Sequence, residues 1–296
     1  MATERKHRGQ TDVQLDSTPF RPEGTLVVIG GNESKEGHRP ILELIARRAS
    51  AGKLVIVTIA SEEPEEQWET YQKTFKGLGV ARLEHLDARS REELLEQSRP
   101  EMFDERTVIF LAGGDQMKIT SKIGGTPLCD RMRELYTQGA LIAGTSSGAS
   151  VMAEVMMAAG ESESSQQGQE SVRLAPGLGL ISGVIIDQHF AERGRMGRLL
   201  AAVAQNPRLL GVGIDEDTAL VFHGHEHAAA IGSGAVYIVD GRTITHTNAS
   251  EEEDRAISVF GATVHVLNSG DRFDLANRAP AAGRVEDIES DLVEVS

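Results

Sequence analysis

The sequence predicts an α/β domain built on a mostly parallel sheet sandwiched by helices, with antiparallel strands added in its C-terminal half. Three observations predict it. Short β-branched runs alternate with longer amphipathic stretches from Thr25 to Gly144. Those runs are almost continuously apolar, as strands covered on both faces must be. Beyond Val184 several of the runs are joined by turn-length gaps, too short for the crossover helix that a parallel pair needs, so part of this region is expected to be antiparallel.

Thr25–Ile29 is the first buried strand and stops at Gly30-Gly31. Arg39–Ala51 carries apolar residues at 41, 42, 44, 45 and 49, a helical stripe. Leu54–Ile59 reads as a strand, and Glu62–Leu78 as an amphipathic helix bearing Trp68, Tyr71 and Phe75. A strand over Ala81–Leu86, a helix over Ser90–Ser98 and a strand over Thr107–Ala112 follow, the last ending at Gly113-Gly114-Asp115. Thr126–Gln138 is helical, Ala140–Ala143 is a strand entering Gly144, and Ala149–Ala159 reads as a helix. The polar stretch Glu161–Gly168 reads as a surface loop. Later strands are expected over Val184–Asp187, Leu210–Asp215, Ala219–Phe222, Ala228–Ile231, Ala235–Val239 and Val264–Leu267. Residues 1–23 read as a disordered arm, 24–280 as one catalytic domain and 281–296 as an acidic flexible tail.

Composition narrows the function. The 296 residues carry a net charge of −15, which opposes general binding to nucleic acid. The longest run free of Asp, Glu, Lys and Arg is the 19 residues Leu135–Ala153. Gln138, three glycines, Thr145 and three serines interrupt it, so no membrane span is predicted. The single cysteine, Cys129, excludes an intrachain disulfide and a multi-cysteine zinc site, and fits a cytoplasmic protein.

Gly144-Thr-Ser-Ser-Gly148 is a G-x-S-x-G placed between a strand and a helix-like stretch. That context suits a nucleophile elbow, in which a tight turn exposes Ser146 and the flanking glycines remove Cβ clashes. N–H groups at the start of the following helix would face a developing oxyanion. A serine nucleophile needs a base, and the base needs an orienting acid. Of nine histidines, His189 stands at the end of a buried strand, where open α/β sheets place their sites. His223, His225 and His227 read as a polar hairpin turn rather than a metal site, since no fourth ligand is evident. Glu216 ends another strand and is a candidate acid, with Asp215 and Asp217 its rivals on spacing. Arg193, Arg195 and Arg198 crowd the segment after His189; their guanidinium forks suit substrate carboxylates, although a solvated helix face carries the same pattern.

Gly113-Gly-Asp-Gln116, Gly144-Thr-Ser-Ser-Gly148, Asp187-Gln-His-Phe190 with its arginines, and Gly213-Ile-Asp-Glu216 are similar in order and spacing to the cyanophycinases. Those are dipeptidase E-like serine peptidases on a class I glutamine amidotransferase-like (flavodoxin-like) fold. The likeness spans roughly Gly24–Pro280, including Gly270-Asp-Arg-Phe-Asp-Leu275. It implies Ser146 as nucleophile, His189 as base and Glu216 as acid. It further implies an oxyanion hole from Gly114, Asp115 and Ser147, and a substrate pocket of Gln116, Asp187, Gln188, Arg193, Arg195 and Arg198. Ser147 departs from the family, which often has alanine there. The implied substrate is the cyanophycin polymer, the implied assembly a homodimer, and no metal or organic cofactor is needed. An α-aspartyl dipeptidase of the same family and a non-catalytic binder of acidic peptides or granules are the rivals. The chain order Ser–His–acid disfavours an α/β-hydrolase, whose order is Ser–acid–His.

Overall fold

The computed structural model describes residues 24–98, 102–158, 172–224, 226–249 and 256–281. The expected arm, the acidic tail and the polar stretch 161–168 lie outside the described residues. The first half runs β1 (Thr25–Ile29), α1 (Pro40–Ala49), β2 (Lys53–Val57), α2 (Pro64–Gly77), β3 (Leu83–Leu86), α3 (Arg91–Gln97), β4 (Thr107–Leu111), α4 (Gln116–Ile123), α5 (Pro127–Thr137) and β5 (Leu141–Thr145). Then come α6 (Ser147–Ser150), β6 (Val155–Ala158), β7 (Arg173–Pro176), β8 (Val184–Gln188), α7 (Met196–Gln205), β9 (Leu210–Ile214), β10 (Thr218–His223), β11 (His227–Gly232) and β12 (Val236–Asp240). Short strands close the described chain: β13 (His246–Thr247), β14 (Val259–Phe260), β15 (Thr263–Leu267), β16 (Arg272–Asp274) and β17 (Ala279–Ala281).

Among the described residues, the main sheet has nine strands in the order β17-β16-β11-β10-β1-β5-β4-β2-β3. The block β1-β5-β4-β2-β3 is parallel, and β10, β11, β16 and β17 continue it antiparallel. This is the predicted class. The order places β1 at the centre, between β5 and β10, with all five residues buried. Alternate residues point to opposite faces. Val27, Ile29, Ile56 and Phe110 meet α1 and α2 on one side. Leu26, Val28, Val55 and Leu111 meet α4–α6 on the other.

A second sheet, in the order β15-β12-β9-β8, was not expected as a separate layer. Val212, Ile214 and Ile238 join the core beneath the main sheet, while Ile185 and Val239 meet Leu199 and Val203 of α7 on the outer face. One local expectation is corrected and one element was missed. The helix read over Ala149–Ala159 is a single turn, Ser147–Ser150, after which Val155–Ala158 pairs with β7. The segment after β7 runs against residues 151–154 and competes for their peptides: Glu154 N–H donates to Ile181 O at 2.8 Å, and Gly177 N–H to Glu154 O at 2.9 Å. Helix α4 was not read at all, although Asp115 caps it, accepting from Met117 N at 2.7 Å.

Phe110 is fully buried, with ring centroids 4.7 Å from Tyr71 and 5.7 Å from Phe75. Truncation leaves a cavity between sheet and α2, so Phe110→Ala is expected to cost about 3–5 kcal/mol in denaturant unfolding. A loss below about 1 kcal/mol would contradict this packing.

Candidate active site

The site forms where β1, β5, β8 and β9 end. β5 terminates at Thr145, and Ser146 turns sharply with φ 55° and ψ −119°, a strained geometry for a residue with a side chain. The flanking glycines permit the turn. A Cβ at Gly144 would lie 2.4 Å from Gly148 O, and one at Gly148 would lie 2.2 Å from Leu111 O. His189 follows β8 directly and also has positive φ, 48°. Glu216 follows β9 after one residue.

These three side chains, distant in sequence, form a hydrogen-bonded line. Ser146 Oγ lies 3.0 Å from His189 Nε2, and His189 Nδ1 lies 2.6 Å from Glu216 Oε1. The Asn32 carboxamide donates to the other carboxylate oxygen, Oε2, at 2.8 Å. The hydrogen bonds from Asn32 first, and then from His189, hold the Glu216 carboxyl below its ordinary range. Because the folded value is depressed, this stabilisation is complete above the ordinary carboxylate range and is lost as pH falls through the lowered value. The rival acids are engaged elsewhere. Asp215 accepts N–H groups from Ala191 at 2.9 Å and Ala235 at 3.0 Å. Asp217 accepts from Ser34 N at 2.7 Å and Ser233 Oγ at 2.9 Å.

An open cleft of about 370 Å³ runs over the serine, lined by Asn32, Gln67, Tyr71, Gly113, Gly114, Thr145, Ser146, His189 and Glu216. Beneath it lies Glu33, a carboxylate only 2% exposed. It accepts from Tyr71 Oη and from Thr145 Oγ1, each at 2.6 Å, and pairs with Lys35 Nζ at 3.1 Å. Burial, with Glu33 second, holds Tyr71 well above the usual phenol value, so its hydroxyl remains a donor. Asn32, Glu33, Gln67, Tyr71 and Thr145 were not singled out from sequence. Their only signal was position, at a strand end and on the inner side of an amphipathic helix.

The expected oxyanion donors divide. Asp115 N–H donates to Ala60 O at 3.1 Å, so it does not face the serine. Gly114 and Ser147 N–H carry no such backbone bond among the described residues, and Ser147 Oγ bonds the Gly114 carbonyl, tying the two segments together. The expected substrate pocket also divides. Asp187, 1% exposed, accepts from Arg195 Nη1 at 3.1 Å, from Arg198 Nε at 2.7 Å and from Arg198 Nη2. Arg195 also donates to Gln188 Oε1 at 2.8 Å. Burial pulls Arg195 down to about 10, Asp187 opposing, so it stays cationic at neutral pH. Asp187, Arg195 and Arg198 are thus bonded to one another, clamping the turn that bears His189. Gln116 is similarly engaged, its amide donating to the Met157 carbonyl. Arg193 is exposed and forms no side-chain hydrogen bond or ion pair among the described residues. His223 and His227 face each other across the β10–β11 hairpin, and His225 lies outside the described residues.

Residues 26–230 match the model of peptidase family S51. The chain belongs to that family. Among the relatives of this S51 chain is a cyanophycinase from Nostoc sp. (strain PCC 7120), 39% identical over 274 residues, covering 90% of this chain and 92% of that one. A cyanophycinase from Geminocystis herdmanii is 38% identical over 266 residues, covering 88% and 97%. The crystal structure of a peptidase from an acI-B1 Actinobacterium aligns with a TM-score of 0.60 at 20% identity, over 86% of this chain and 98% of that one, which supports the fold. Among the described residues no helix is long and apolar enough to cross a membrane.

Gly31 tests the geometry. It has φ 105°, and a Cβ there would lie 2.3 Å from His189 Cε1. Gly31→Ala should push the His189 imidazole off Ser146 and slow acylation of that serine by a phosphonofluoridate about a hundredfold, with far-ultraviolet circular dichroism unchanged. Labelling at the native rate would show that the imidazole does not depend on this contact.

Proposed function

We propose that this chain is a serine peptidase that hydrolyses cyanophycin, the poly-aspartate bearing arginine on each β-carboxyl, to β-Asp-Arg dipeptides. The observation that carries the reading is the line from Ser146 through His189 to Glu216, at 3.0 and 2.6 Å, on a strained strand-to-helix turn. The cyanophycinase relatives, matched over about nine-tenths of the chain, support the substrate.

In this reading His189 Nε2 takes the Ser146 proton as Oγ attacks a backbone carbonyl of the polymer. Glu216 holds Nδ1–H, fixing the tautomer and stabilising the imidazolium that forms. The N–H groups of Gly114 and Ser147 receive the developing oxyanion. The intermediate collapses, the imidazolium protonates the leaving amine, and water, deprotonated by His189, releases the acyl group. Arg193 is the arginine whose guanidinium is available to a substrate carboxylate, whereas Asp187, Arg195 and Arg198 position the histidine segment. The free, buried Cys129 is compatible with a cytoplasmic enzyme, and the family resemblance supports a homodimer.

Incubation with purified cyanophycin, followed by mass spectrometry of the soluble products, should yield β-Asp-Arg. Ser146→Ala should lower turnover by roughly 10⁴- to 10⁶-fold with substrate binding retained. Preference for simple α-linked Asp-X dipeptides would move the assignment to an aspartyl dipeptidase, and activity surviving in Ser146→Ala would remove that serine from the mechanism.

The arginines should separate by phenotype. Arg193→Ala is expected to raise KM about tenfold with little effect on melting, through loss of a charge-assisted bond. Arg198→Ala leaves Asp187 buried and underpaired, and should cost about 3 kcal/mol of stability. A stable Arg198→Ala protein with a raised KM would instead return Arg198 to the substrate.

A further inference from the structure

We propose that Asn32 is a positioning residue that completes a Ser146–His189–Glu216–Asn32 tetrad, holding the acid in line with the imidazole. The proposal deepens the serine-peptidase reading and rests on it.

Glu216 is an unusual orienting acid because its side chain is 28% exposed. A carboxylate in that position can turn toward water, and only one of its oxygens faces His189. The other oxygen is met by Asn32 Nδ2 at 2.8 Å. The amide must present its nitrogen here, since a carboxylate only accepts. The backbone around Asn32 is itself tied to the segment carrying the acid. Gly31 O accepts Asp217 N–H at 2.9 Å, and Ser34 N–H donates to Asp217 Oδ1 at 2.7 Å. The carboxamide is thus anchored from both flanks against residues 216 and 217, and it reaches Glu216 without a flexible stem.

Asn32 also has φ 47°, a left-handed conformation that asparagine tolerates better than most residues. Two reasons for an asparagine therefore compete: the backbone, or the carboxamide. Glycine satisfies the first and removes the second, so Asn32→Gly separates them. Asn32→Asp keeps the shape and replaces the donor by a charge of the same sign as Glu216.

The test measures the rate at which a phosphonofluoridate acylates Ser146, which reports the nucleophile and its base without any peptide substrate. Asn32→Gly is expected to slow acylation about tenfold, and Asn32→Asp by more, with melting temperatures close to the parent's. In a Glu216→Ala background, Asn32→Gly should cost little further, because its effect passes through the acid. Native labelling rates in Asn32→Gly would overturn the proposal. So would a tenfold loss that persists in the Glu216→Ala background, which would assign Asn32 to the cleft wall. A parent protein that is not labelled at Ser146 would sink the nucleophile assignment, and the tetrad with it.

Discussion

Three consecutive carbonyls at the end of the central strand organise the site. Ile29 O accepts Ser146 N–H at 3.0 Å, Gly30 O accepts His189 N–H at 2.8 Å, and Gly31 O accepts Asp217 N–H at 2.9 Å. Each bond captures one of the chain segments that carry Ser146, His189 and Glu216. A strand end normally leaves its last peptide groups to water or to a turn; here they form a ruler with one mark per segment. Since β1 lies at the middle of the main sheet, the ruler is fixed by ladders on both sides. The following residues extend the arrangement from backbone to side chain, Gly31 under the imidazole, Asn32 on the acid, and Glu33 on the threonine before the nucleophile.

Charge is handled by the same economy of place. The chain is strongly acidic, yet among the described residues the four buried carboxylates are each met by donors, Asp215 by backbone N–H groups and the other three by charged side chains. Glu33 has two hydroxyls and an ammonium, Asp187 two guanidinium groups, and Asp240 the guanidiniums of Arg242 and Arg278. Such pairs add little net stability, because desolvation offsets much of the attraction, but leaving one half unpaired is costly. Their effect is to specify geometry. Two of these three ion-paired carboxylates adjoin the site, one beneath the Ser146 turn and one beneath the His189 turn.

Much of this was legible in the sequence. The parallel strands appear as uninterrupted apolar runs because both of their faces are covered. Ser146 was legible because a tight turn demands glycine on either side, and His189 because it stands at a buried strand's end. Glu216 could not be separated from Asp215 and Asp217 by spacing, since all three lie in one turn and only the fold decides which faces the imidazole. Asn32 left no trace, because its partner is 184 residues away and a single asparagine after two glycines resembles any turn. The Asp187 clamp on Arg195 and Arg198 was not legible for a related reason: periodicity tells which residues share a face, not what that face meets. The helix expected beyond the elbow failed because a later segment offered the peptides of residues 151–154 better partners.

Ser146, His189, Asn32 and Asp217 all hold positive φ with side chains in place. Each such conformation costs of order 1 kcal/mol that glycine would not incur. The price is met by the surrounding sheet, so the scaffold subsidises its own reactive centre. An evolutionary consequence follows. Under selection for thermal robustness alone, these positions would drift toward glycine, and the catalytic apparatus would decay before the core did. Side chains at four strained positions in one cluster thus trade durability for the polar groups gathered there.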